Sequence, residues 1–159
     1  ENLKIWTKEP DLSKWENIVS KIKKLKNEVT IGVVGKYIDL KDAYKSLHEA
    51  LYHASFHNNV KLKISYIDSE DLEKDTAKNL LSDCDGILVP GGFGNRGFEG
   101  KISAIKYARE KNIPFFGICL GLQMAVVEFA RNICNLKNAN SRESGRKIKD
   151  FVIENNKHK

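Results

Sequence analysis

The sequence predicts an α/β protein of three layers, with helices on both faces of a mostly parallel sheet. Short apolar runs rich in β-branched residues alternate with stretches of helical periodicity. Most of those runs are continuously apolar, as strands covered on both faces require. Two of them end in glycine-bearing turns, where such sheets collect their ligands.

In chain order, residues 11–26 form the first element. Asp11 and Ser13 are candidate caps, and Leu12, Trp15, Ile18, Val19, Ile22 and Leu25 recur at helical spacing between lysines. That stripe predicts an amphipathic helix with one face for a partner surface. Residues 29–34, closed by Gly35, read as a buried strand. Residues 43–56 place Leu47, Ala50, Leu51 and Ala54 on one helical stripe, residues 60–67 alternate like a strand, and residues 72–81 read as one helix. Residues 86–89 give a third strand, 102–110 a helix, 113–116 a fourth strand and 120–133 a long apolar helix. From Asn138 onward the chain turns polar.

The 159 residues fit one domain, and 41% hydrophobic with 30% charged residues is a globular mix. A net charge of +6 raises nucleic acid or an acidic ligand. The lysines do not interleave with aromatics, though, so the group Lys21, Lys23, Lys24, Lys26 and the stretch from Arg142 to Lys159 read as a solvated helix face and a loose tail. No nucleic-acid partner is expected. No apolar run reaches the length of a membrane span, and the first residues do not read as a signal peptide, so no membrane partner is expected either. Cys84, Cys119 and Cys134 show neither metal-ligand spacing nor a disulfide framework, which predicts no metal and a reducing, cytoplasmic setting. Glu1 in place of Met points to a piece of a longer chain.

Chemistry concentrates at Gly117-Ile118-Cys119-Leu120-Gly121, between a strand and a helix. A reactive side chain between glycines at such a bend has the nucleophile-elbow arrangement, with cysteine in the serine position. The helix that follows directs its positive end at the sulfur and favours a thiolate there. Its first N–H groups can face a developing oxyanion. The alternative is a small buried cysteine that merely precedes a helix. Cys84 and Cys134 lack flanking glycines and read as structural.

Pro90-Gly91-Gly92-Phe93-Gly94-Asn95-Arg96-Gly97 contains G-x-G-x-x-G after a strand, which raises a non-catalytic dinucleotide module. That fingerprint wants an acidic residue at the end of the next strand, where this chain has Gly117 and then Cys119. The other reading joins the two turns: Gly92 offers its bare N–H to an oxyanion formed at Cys119.

The stretch Gly117 to Gln123 resembles the nucleophile motif of class I glutamine amidotransferases. Gly35-Lys36-Tyr37 with Asp42-Ala43-Tyr44-Lys45-Ser46, Leu88 to Gly94 with Arg96-Gly97, and Asn138-Ala139-Asn140-Ser141-Arg142-Glu143 narrow the resemblance to the CTP synthase family, from about Val29 to Glu143. The resemblance implies a flavodoxin-like class I amidotransferase fold. It divides the chain into a linker-helix region (1–28), the N-terminal portion of an amidotransferase domain (29–143) and a polar tail or insertion (144–159). It implies that Cys119 attacks the glutamine amide and forms a thioester. Gly92 and Leu120 would hold the oxyanion, and Gly92, Leu120, Gly121, Leu122, Gln123 and Glu143 would hold L-glutamine. The family passes the ammonia to a synthase domain that makes CTP from UTP. The resemblance therefore also implies ATP and Mg²⁺ in that domain, GTP as effector and a full-length homotetramer.

One part of the family pattern is missing. The family's base lies in a downstream His-Pro-Glu, while His48, His53, His57 and His158 here are not followed by Pro-Glu. Half an active site, inactive or weakly active alone, is the expectation. A cysteine hydrolase of the related intracellular-peptidase and chaperone superfamily is the remaining alternative. It would need a histidine soon after the cysteine, and Leu120 follows instead.

Overall fold

The computed structural model describes residues 10–36, 42–74, 76–144 and 150–154. The readings at residues 1–9, Tyr37 and His158 fall outside them. Four strands form the main sheet: β1 (Glu28–Gly35), β2 (Lys61–Asp68), β3 (Gly86–Val89) and β4 (Phe115–Gly117). Their order is β2-β1-β3-β4 and every pairing is parallel. All four carboxyl ends therefore lie along one edge. Gly35 pairs with Asp68 and Val89 with Gly117, so the turns after β3 and β4 leave the sheet side by side. The chain steps from β1 out to β2 and then crosses to β3, so the strand order reverses between β1 and β3.

One face of the sheet carries α3 (Asp71–Lys74), α4 (Ala77–Leu81), α5 (Phe98–Lys111) and α6 (Leu120–Asn132). Val34, Ile87, Val89, Ile105, Leu120 and Met124 form the centre of that core. On the opposite face Ile31 looks toward Leu51 of α2 (Lys45–His57), completing three layers. The α2 layer covers the β2–β1 half, and Phe116 of β4 stays 62% exposed. Residues 72–81 do not make the single helix that their pattern predicts. Thr76 is extended (φ −75°, ψ 138°) and α4 starts after it. An unbroken helix would put Leu72 and Leu81 about 180° apart. Both are buried in one core, and the break lets both turn inward.

The helix α1 (Ser13–Lys24) has Leu12, not Asp11 or Ser13, at its N-cap and no side-chain cap, although the Asp11 carboxylate accepts from Ser13 N at 3.0 Å. None of its residues is buried, and Trp15 is 67% exposed. Between α5 and α6, the buried Glu128 accepts three hydrogen bonds from Arg109 at 2.8–3.2 Å and one from Asn132 Nδ2 at 3.0 Å. Among the described residues no helix is long and apolar enough to cross a membrane.

Lys101 on α5 is 2% exposed, and its ammonium donates to Ser69 Oγ, Arg96 O and Gly97 O at 3.2–3.3 Å. Burial, aided by the charge of Lys36, pulls it down from 10.5 to about 8. Below pH 8 the lysine is charged whether folded or unfolded, and the folded state carries the whole burial penalty. Between about pH 8 and 10.5 the unfolded chain holds a proton that the folded chain has released, so this group makes stability rise with pH. The rise is expected to reach roughly 1–2 kcal/mol after allowance for relaxation around the ammonium. Denaturant unfolding of the native chain and of Lys101→Met at several pH values checks it: the difference between the two should slope across that window, and a flat difference would refute the assignment.

Candidate active site

Three segments meet at the carboxyl edge of the sheet. The first is the elbow between β4 and α6. Cys119 is the residue before α6 and has φ 52°, ψ −107°, a conformation that non-glycine residues rarely adopt. Its thiol is exposed, whereas Cys84 is buried and burial pushes its thiol up. The bend is tight because Ile118 N donates to Val89 O at 3.0 Å and Gly121 N to Ile118 O at 2.9 Å. A Cβ on Gly117 would lie 2.7 Å from the Gly121 carbonyl, and one on Gly121 would run into the carbonyl oxygen of Val89. Both glycines are required by close backbone approach.

The second segment is the glycine loop after β3. A Cβ on Gly91 would sit 3.5 Å from Cys119 Cβ, and one on Gly92 would sit 3.7 Å from Leu120 Cδ2 and 3.5 Å from Lys36 Cε. The loop therefore lies against the elbow. Arg96 holds it to the end of β1 by donating to Lys36 O at 2.9 Å. Arg96 Nε also lies 3.0 Å from Glu70 Oε1, close enough for an ion pair although not angled for a hydrogen bond. Gly94 and Gly97 have φ of 74° and 68°, and α5 begins at Phe98, four residues earlier than its apolar period predicts.

The third segment, 139–144, lies in the stretch that turns polar from Asn138 onward and spans the expected boundary between domain and tail at 143/144. Despite that polarity, Ala139, Asn140, Ser141 and Ser144 are buried. β5 (Asn140–Ser141) pairs with β6 (Phe151–Ile153), Arg131 Nε donates to Ala139 O at 2.7 Å, and Arg142 pairs with Glu154. Asn95 Nδ2 in the glycine loop donates to Ser144 O at 3.4 Å, tying the second segment to the third. Glu143 then reaches α6, where Gln123 Nε2 donates to its Oε1 at 3.2 Å. Gln123 stands one turn beyond Cys119, to whose carbonyl its backbone N–H bonds at 3.1 Å.

The structure thus brings together Cys119, Gly92, Leu120, Gly121, Gln123 and Glu143, while Leu122 points outward at 59% exposure. His48, His53 and His57 lie on α2, which packs on β2 at the edge of the sheet opposite β4. Cys134, read as a structural cysteine, is exposed beyond the end of α6. Sequence reasoning missed Arg131 and Ser141. A lone arginine on a helix and a serine in a polar run carry no periodic signal.

The model of the class-I glutamine amidotransferases matches residues 39–158. The chain belongs to that family. This amidotransferase is similar to proteins named CTP synthase: one from Desulfotalea psychrophila is 56% identical over 153 residues, spanning 96% of this chain and 28% of that protein. Another, from Syntrophus aciditrophicus, is 57% identical over 152 residues, with 96% and 28% covered. The chain thus spans about 28% of the length of the curated relatives it matches. Among solved structures, it resembles the glutaminase domain of Trypanosoma brucei CTPS with bound acivicin. The TM-score is 0.74 at 44% identity, over 79% of this chain and 49% of that one. The α/β fold with a parallel sheet is the class I amidotransferase fold.

Proposed function

We propose that this chain is the glutaminase part of a CTP synthase, in which Cys119 releases ammonia from L-glutamine. The observation that carries the reading is the strained, exposed Cys119 at a bend packed against the Gly91-Gly92 backbone. The thiolate sulfur attacks the side-chain amide carbon, forming a C–S bond, and the carbonyl oxygen takes up negative charge. The N–H groups of Gly92 and Leu120 hold that charge. The C–N bond then breaks, the nitrogen takes a proton and leaves as ammonia, and water later cleaves the thioester to glutamate. Glu143 pairs with the substrate α-ammonium and Gln123 adds a donor and an acceptor.

The rest of the reading follows from the similarity to CTP synthases. α1 leans with its apolar stripe on a synthase domain, and residues 29–143 carry the glutaminase site. The synthase domain binds ATP and Mg²⁺ and aminates UTP to CTP. GTP acts as effector, and the full-length protein is a cytoplasmic homotetramer. No His-Pro-Glu occurs in this sequence, so proton transfer at Cys119 lacks its usual agent. Acid–base catalysis supplies roughly 10²–10⁴-fold. Ammonia release from glutamine by this chain is expected to fall short of an intact family enzyme by about that factor. Turnover equal to the intact enzyme's would overturn the half-site reading.

A further inference from the structure

Ser141 is fully buried, yet its hydroxyl reaches both residues assigned to glutamine, Gln123 through its side chain and Glu143 through its backbone N–H. Ser141 Oγ lies 3.0 Å from Gln123 Oε1 and accepts from Glu143 N at 3.3 Å. A hydroxyl has one proton and two lone pairs. The bond from Glu143 N occupies a lone pair, so the proton goes to Gln123 Oε1. That choice fixes the Gln123 amide: its oxygen faces Ser141 and its Nε2 faces the Glu143 carboxylate, to which it donates at 3.2 Å. With the amide turned half a circle, two oxygens would oppose each other at Glu143. Ser141 itself is held by the parallel pairing of β5 with β6, where it stands opposite Ile153. Arg131 anchors the neighbouring Ala139 carbonyl to α6.

We propose that Ser141 is a positioning residue: through one hydroxyl it orders Gln123 and Glu143 into a single arrangement that grips the amino-acid end of glutamine. The proposal rests on the glutaminase reading of Cys119, Gln123 and Glu143. It assigns Ser141 to substrate affinity and leaves the reactivity of the sulfur to the elbow.

The test uses the chloroketone analogue of L-glutamine on the chain described here. The Cys119 thiolate displaces chloride: a C–S bond forms, the C–Cl bond breaks, and chloride leaves with the electron pair, so no base partner is needed. Labelling at each cysteine is followed by peptide mass spectrometry. In Ser141→Ala the concentration giving half-maximal labelling should rise ~5–10-fold, the loss expected of one or two hydrogen bonds in contact with a charged group. The maximal rate should hold within about twofold, and so should labelling of Cys119 by iodoacetamide, which has no amino-acid end to grip. Gln123→Ala should produce a similar rise, and the double variant no more than either alone. An unchanged half-maximal concentration in Ser141→Ala, additive effects in the double variant, or an equal loss of iodoacetamide labelling would each overturn the proposal. A native chain whose Cys119 gains no preference over Cys134 with the chloroketone would sink the glutaminase reading itself, and the proposal with it.

Discussion

Replacing Cys119 with glycine should abolish labelling by a glutamine analogue and at the same time make the protein more stable. Cys119 holds φ 52° and ψ −107°, where a Cβ is strained by roughly 1–3 kcal/mol. Glycine reaches that conformation freely, but its greater freedom in the unfolded chain gives back roughly 0.5–1 kcal/mol. The net gain is therefore about 1 kcal/mol, or about 2–4 °C in Tm for a domain of this size. Cys119→Ser supplies the comparison, since it loses the thiolate but keeps the Cβ and the strain. The expected order of thermal stability is glycine variant above serine variant, with serine close to the native chain. A glycine variant no more stable than the serine variant would mean that the bend stores no strain. Persistent labelling by the analogue at Cys84 or Cys134 in either variant would mean that the nucleophile lies elsewhere.

The central sheet was legible because its signals are local. The run Gly86–Val89 is apolar throughout and buried at every position, so composition alone marks a covered strand. The elbow was legible for a different reason. Glycines on both sides of a cysteine have no use in an ordinary helix start, and they are needed where backbone meets backbone. What stayed hidden depends on contacts distant in sequence. The break at Thr76 follows from one core claiming both Leu72 and Leu81, which no window of local periodicity reveals. The segment 139–144 reads as polar, and composition alone gives no sign of its burial. Its burial is made possible by hydrogen bonds from Arg131, Asn95 and Ser141 and by pairing with β6. The apolar stripe of α1 was read correctly as a pattern, and that face stands exposed among the described residues.

The second large effect concerns packing at the elbow. Gly121→Ala should cost at least roughly 3 kcal/mol, because its Cβ would occupy the place of the Val89 carbonyl oxygen and neither side of the contact is a movable side chain. That oxygen also accepts from Ile118 N, so pushing it aside strains the bond that shapes the turn. Gly117→Ala meets the Gly121 backbone at 2.7 Å and should cost a similar amount. Gly94→Ala offers the contrast. Gly94 has φ 74°, but the nearest atom to an added Cβ is Lys36 Nζ at 3.8 Å, so only the backbone penalty of about 1–2 kcal/mol applies. Thermal unfolding should rank Gly121→Ala and Gly117→Ala well below Gly94→Ala. Labelling of Cys119 should follow the same order, because α6 can admit a methyl at Gly121 only by lifting its first turn, with Leu120 and Gln123, away from β3. A Gly121→Ala protein as stable as Gly94→Ala would show that the helix does not rest on Val89, and the close approach that raises the sulfur above the sheet would lose its basis.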